Sequence, residues 1–197
     1  MTRTTSLVGL IALAIGGCGG GGALELRLTD APPDTDNMAT AVVTLSSAEA
    51  HYARGDDENE IHVDGQKKNL SGEHGGDSWV RVSGEPLSYD LLRLQNGVSE
   101  LIGSIALPPG KITQIRLFID PNGVNAVTLK DGQICPLILD GVDPTGIKII
   151  HPFKAMDIKD GRTLQVVLDF DLKESVDMTG PCAYHLKPVI KIKSVKE

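Results

Sequence analysis

Apolar and polar side chains alternate along residues 23–197, and that period of two constrains the fold more than any other feature. Leu24, Leu26 and Leu28 alternate with Glu25 and Arg27. Ile115, Leu117 and Ile119 alternate with Gln114, Arg116 and Phe118. The same rhythm sets Leu164, Val166, Leu168 and Phe170 against Gln165, Val167 and Asp169, and Tyr184, Leu186, Pro188, Ile190 and Ile192 against His185, Lys187, Val189, Lys191 and Lys193. In an extended chain this puts one set on a buried face and the other in water. Helical spacing is not sustained beyond about two turns, and one short helix is expected around Leu91–Leu94.

Turn signals separate the runs. Asn/Asp-Gly pairs stand at Asp64-Gly65, Asn96-Gly97, Asn122-Gly123, Asp131-Gly132, Asp140-Gly141 and Asp160-Gly161, and such pairs readily take the positive φ angles of tight hairpins. Many short strands joined this way predict an antiparallel sheet that must pair with another to bury its face. The expected fold is therefore all-β, an antiparallel β-sandwich of the immunoglobulin-like or prealbumin-like kind, in one domain over residues 23–197. Pro188 marks an edge position or a bulge in the last run. Residues 53–78 interrupt the pattern with a polar, glycine-rich insertion in which Ile61 and Val63 form a short strand. It reads as a solvated insertion in a hairpin, with a binding loop as the functional alternative.

The N-terminus has a different character. Arg3 is followed by the apolar run Leu7–Ile15, then Gly16, Gly17 and Cys18. The run is far shorter than the ~20 residues of a membrane span, but it fits a secretory signal. Ile15-Gly16-Gly17-Cys18 resembles a bacterial lipobox, which implies cleavage after residue 17 and lipid attachment to the Cys18 sulfur. Residues 1–17 are then a signal peptide. Residues 18–22 are the lipidated cysteine and a glycine tether with at most about 14 Å of reach. The protein is expected in the cell envelope, held to its membrane through lipid on Cys18, and the absence of Asp after Cys18 favours the outer membrane in a Gram-negative organism. A net charge of −7 argues against nucleic-acid binding.

Six blocks in order carry a family resemblance: "LRLTDAPPDTDNMATAVVTLSSAEAHY", "YDLLRLQNG", "LPPGKITQIRLFID", "GIKIIHPF", "QVVLDFDLKESV" and "YHLKPVIKI". Over about Leu24 to Ile192 the chain resembles the bacterial and archaeal domain of unknown function numbered 4382, common in secreted lipoproteins. The resemblance implies an exported β-rich domain and transfers no catalytic residues.

With Cys18 lipidated, Cys135 and Cys182 remain as an even pair, the signature of a disulfide in an exported protein. The alternative is two separate thiols, with Cys135 buried as a small apolar residue. Asp30, Asp34 and Asp36 form an oxygen-rich cluster, as do Asp169 and Asp171, the latter two on an outward face. The alternating calcium-loop pattern is missing, so the first cluster reads as an acidic solvated loop, with calcium as the alternative and no other metal site expected. His151 in "IIHPF" reads as a packing or hydrogen-bonding residue. No HExxH, nucleophile-elbow, GxGxxG or Walker pattern occurs, and Asn69-Leu70-Ser71 is a glycosylation sequon of little meaning in a bacterial lipoprotein.

These observations predict a non-catalytic, lipid-anchored binding or structural module without cofactors, with a protein or polysaccharide as its partner. Aromatic residues number seven, which weakens the sugar-binding version and leaves Trp79 as the obvious stacking platform. The alternative is an exported hydrolase whose site is assembled from residues distant in sequence.

Overall fold

The computed structural model describes residues 20–30, 37–55, 60–63, 66–69, 78–140, 145–150 and 155–197. Cys18, Asp34, Asp36 and His151 lie outside them, as do residues 64–65 and Gly141 of two predicted turns. In chain order the strands are β1 (Gly22–Thr29), β2 (Met38–Arg54), β3 (Glu60–Val63), β4 (Gln66–Asn69), β5 (Ser78–Ser83), β6 (Leu87–Asp90), β7 (Glu100–Leu107), β8 (Gly110–Ile119), β9 (Ala126–Leu129), β10 (Ile134–Leu139), β11 (Ile147–Ile150), β12 (Met156–Ile158), β13 (Thr163–Phe170), β14 (Val176–Gly180), β15 (Ala183–Leu186) and β16 (Ile190–Lys196). A 3-10 turn spans Leu91–Arg93, and one α-helical turn, α1, spans Leu172–Ser175. Among the described residues no helix is long and apolar enough to cross a membrane.

The strands form an all-β sandwich. One sheet has the order β16-β13-β1-β7; the larger runs β11-β8-β2-β9-β10-β15-β14, with β12 beside β8 and β5 and β6 beside β2. Leu24, Leu26 and Leu28 of β1 and Leu164, Val166, Leu168 and Phe170 of β13 are buried, and they join Ala48, Ala50, Ile115 and Leu117 of the large sheet in one core. The alternation therefore predicts the inward side of these strands correctly. Two pairs depart from the antiparallel expectation. β1 runs parallel to β13, and β10 parallel to β15. In both pairs other strands intervene along the chain, so no tight turn dictates direction, and parallel pairing needs only a long crossover.

The 17-residue β2 organises the large sheet. Along one edge it pairs with β9 and then β8, and along the other with β6 and then β5, all antiparallel. β8 and β9 thus act as one interrupted strand. The interruption holds Asn122-Gly123, which is consequently no hairpin turn. Its polar groups are satisfied by substitution: the Thr44 amide donates to Asn125 Oδ1 at 3.0 Å, and Thr44 Oγ1 donates to the Val124 carbonyl at 2.8 Å. At the other predicted turns, Asn96, Gly97, Gly132 and Gly161 do take positive φ.

The run Tyr184–Ile192 is not one strand. β15 ends at Leu186 in the large sheet and β16 begins at Ile190 in the small one. Pro188 lies in the crossover, where it has no ladder amide to withhold. Ser175 holds the crossover by accepting from the Lys187 amide on its carbonyl and from the Val189 amide on its hydroxyl.

Gly22 already belongs to β1, and the Gly21 carbonyl accepts from the Gly161 amide at 2.9 Å. A Cβ at Gly22 would stand 2.3 Å from the Lys159 carbonyl oxygen, so only glycine permits this approach to the β12–β13 turn. Cys135 and Cys182 are joined by a disulfide with Cα atoms 5.0 Å apart. It fastens the β14–β15 turn to β10. Two outcomes are expected in urea denaturation followed by circular dichroism. Gly22→Ala lowers stability by about 1–3 kcal/mol through overpacking. The double substitution Cys135→Ala/Cys182→Ala lowers it by about 4 kcal/mol, the loop-closure value for a separation of 47 residues, and makes stability indifferent to reductant.

A candidate binding face on the large sheet

The outward face of the large sheet is set by two irregularities in the β2–β8 ladder. The pairing shifts between Leu45 and Ser47, leaving Ser46 as an extra residue. Ala41, Val43 and Leu45 are buried before the shift, and Ala48, Ala50 and Tyr52 after it. The inward parity has changed from odd to even, so Ser47, Glu49 and His51 face outward. A second shift, between His51 and Tyr52, leaves Thr113 of β8 as the extra residue. Gln114, Arg116 and Phe118 then face outward beside the β2 residues.

Register brings these side chains into rows. Arg81 of β5, Glu49 of β2, Arg116 of β8 and Lys148 of β11 are successive cross-strand neighbours. Trp79, His51 and Gln114 form the adjoining row. Arg116 is the centre. Its guanidinium carbon lies 3.5 Å from the Trp79 ring centroid and 5.6 Å from that of Phe118. Its Nε donates to Glu49 Oε2 at 2.9 Å, and Nη1 reaches the Thr145 carbonyl at 3.5 Å. The Arg116 and Glu49 side chains are each only 18% exposed, so this pair is partly withdrawn from water. Stacking on the indole adds about 0.5–2 kcal/mol. Arg81 approaches Glu49 only to 4.0 Å and is largely exposed. His51 meets Trp79 edge-on at 5.1 Å, and its Nδ1 lies 2.7 Å from Thr113 Oγ1. Gly146 completes the support: at φ +83° it leaves room for the Phe118 ring, which a Cβ there would meet at 2.9 Å.

The result is a surface of planar groups whose row holds three cations and one carboxylate. It suits side-chain recognition of anionic or planar groups. Sequence reasoning singled out Trp79 but not Arg116, Glu49, His51 or Phe118. The available signal was the parity change at Ser46-Ser47 between two apolar sets.

The other predicted residues behave differently. Asp30 is fully buried, which corrects the expectation of a solvated acid. It closes the end of β1 beneath α1: its Oδ1 accepts from the Leu172 amide at 3.0 Å, its amide donates to the Leu94 carbonyl, and its Oδ2 has no partner. Burial pushes its pKa up to about 7, against the opposing Leu172 hydrogen bond and with further elevation from Asp169 and Asp171. Asp169 does face outward and sits 3.5 Å from Lys193. Asp171 caps α1 by accepting from the Glu174 amide and pairs with Lys191 at 3.2 Å. Among the described residues no three His, Cys, Asp or Glu side chains converge to hold a metal. His185 Nδ1 lies 2.7 Å from Asp140 Oδ2, the base-and-orienter half of a triad. Among the described residues no hydroxyl or thiol is hydrogen-bonded to that ring.

Fold and face define an all-β sandwich with a decorated sheet surface. The domain of unknown function DUF4382 matches residues 21–188, and the chain belongs to that family. No curated protein and no solved structure matches it.

Asp30 makes a pH prediction. Its unfolded-state pKa is 3.8 and its folded-state pKa about 7. Between these values the unfolded chain releases a proton that the folded chain keeps, so stability falls as pH rises from about 4 to about 7. Denaturation of Asp30→Asn across this window is expected to lack that contribution to the slope; an identical slope in variant and wild type would contradict the assignment.

Proposed function

We propose that this protein is a non-catalytic, lipid-anchored cell-envelope module, and that the outward face of the large sheet is the surface by which it binds a protein or polysaccharide partner. The observation that carries this reading is the Arg116 guanidinium stacked on Trp79, tied to Glu49 and flanked by Phe118. An ordered cluster of this kind on a solvent-facing sheet brings together residue types enriched at binding hot spots, Trp and Arg foremost. The anchoring half of the reading rests on residues 7–18, where a short apolar run ends at Cys18. Membrane attachment is through lipid on Cys18, and the outer membrane is the destination in a Gram-negative organism.

The hydrolase alternative draws on the His185–Asp140 pair. Among the described residues that pair has an orienting carboxylate and a base but no nucleophile hydrogen-bonded to it, so it supports a hydrolase less than it does a hydrogen-bonded surface histidine.

Chemical crosslinking in intact cells tests the proposal with the full chain. Wild type, Trp79→Ala, Arg116→Ala and a variant lacking residues 55–77 are compared. The two face variants are expected to lose the covalent partner complexes that wild type forms, with circular dichroism unchanged. The deletion variant is expected to keep them if the sheet face, rather than the insertion, makes the contact. Identical complexes from wild type and both face variants would refute the assignment of the face.

A further inference from the structure

We propose that the ligand of this face is an acidic polysaccharide, a polymer bearing a carboxylate on its sugar rings, gripped by Arg81, Arg116 and Lys148. This rests on the reading of the face as a binding surface and gives it a chemical class.

The chain carries −7 overall, yet the row Arg81–Glu49–Arg116–Lys148 holds three cations and one carboxylate. Glu49 is committed to Arg116 at 2.9 Å. Lys148 is exposed and has no hydrogen-bond or ion-pair partner among the described residues. Arg81 is 4.0 Å from Glu49 with its side chain 65% exposed. Neighbouring strands lie about 4.8 Å apart, so the row extends roughly 14 Å across the sheet. Anionic groups repeated along a polymer would meet a cation at both ends of that row and at its third position. A cationic strip maintained against an acidic background marks complementarity to an anion.

Arg116 is fixed in orientation by Trp79, Glu49 and Phe118, and among the described residues the guanidinium edge beyond Nε hydrogen-bonds to the Thr145 carbonyl at 3.5 Å. A pre-oriented guanidinium edge recognises a carboxylate bidentately with little further loss of freedom. Gln114 and Ser47 add polar side chains on the same face for hydroxyl groups.

Peptides that dock on sheets typically add a strand to an open edge. Here the middle of the row, Glu49 on β2 and Arg116 on β8, is paired on both sides, and the open edges belong to β5 and β11 at its two ends. A peptide strand added at either edge would run along the strands and meet one end of the row, whereas a ligand spanning the row meets side chains and ring edges. Rigid sugar rings with projecting carboxylates match that offer.

Polygalacturonate is the probe, tested by affinity electrophoresis and calorimetry on the full chain in non-ionic detergent, beside dextran and poly-glutamate. Polygalacturonate is expected to bind at low salt and weaken as salt rises, dextran to leave migration unchanged, and poly-glutamate to bind at least tenfold more weakly. Arg81→Glu/Lys148→Glu, whose side chains are exposed, is expected to weaken polygalacturonate binding at least tenfold with an unchanged melting temperature, while Arg81→Lys/Lys148→Arg retains it. No binding of polygalacturonate, equal binding by the charge-reversed variant, or equal binding of poly-glutamate would overturn the proposal. If polygalacturonate fails while Trp79→Ala still abolishes crosslinking in cells, the ligand class is wrong and the face stands. If crosslinking is also unchanged, the face itself is wrong.

Discussion

Ser46 is the residue on which the arrangement turns. β2 is paired along both edges, so its backbone cannot rotate locally to correct a misdirected side chain. Only an added residue reverses which parity points inward. Before the shift Val43 and Leu45 fill the core; after it Ala48, Ala50 and Tyr52 do. Without the extra residue, Glu49 and His51 would be driven into an apolar interior and Ala48 and Ala50 turned to water. Desolvating an unpaired carboxylate costs far more than one bulge. The irregularity therefore preserves one continuous core and, in the same step, builds the outward row of Glu49 and His51.

The rest of the sandwich closes around that strand by short, specific contacts. Asp30 ties the end of β1 to α1 through the Leu172 amide, and Thr29 Oγ1 lies 2.8 Å from the Leu94 carbonyl and 2.7 Å from that of Val98. The Cys135–Cys182 bridge holds the far hairpin of the large sheet, where pairing with β10 is brief. The outer strand β16 carries Lys191, Lys193 and Lys196, charges that discourage edge-to-edge pairing with another chain. Two of these lysines also pair with acids, Lys193 with Asp169 of β13 and Lys191 with Asp171 at the cap of α1.

How much of this was legible in the sequence follows from the range of each cause. Strand faces in β1, β8 and β13 depend on alternation within a few residues, and Leu24, Ile115 and Leu164 point where that alternation says. The disulfide was one of two readings of the pair Cys135 and Cys182, and the structure joins them. Partners across the ladder depend on register, which a single sequence does not encode locally. The meeting of Trp79 with Arg116, 37 positions apart, was therefore invisible. So was the burial of Asp30: its composition says acid and loop, while its position beneath Leu172 comes from the parallel pairing of β1 with β13. The run from Tyr184 to Ile192 misled for a related reason, since its period of two continues across a change of sheet at Pro188.

The lone tryptophan stands in a cationic, ring-lined face of an otherwise acidic protein. Its fluorescence reports on that surroundings directly. Collisional quenching of Trp79 in the full chain by iodide, caesium and neutral acrylamide reads the sign of the local potential. The account predicts that iodide, scaled to acrylamide, quenches more strongly than caesium at low ionic strength. Quenching by caesium equal to or stronger than that by iodide would contradict it.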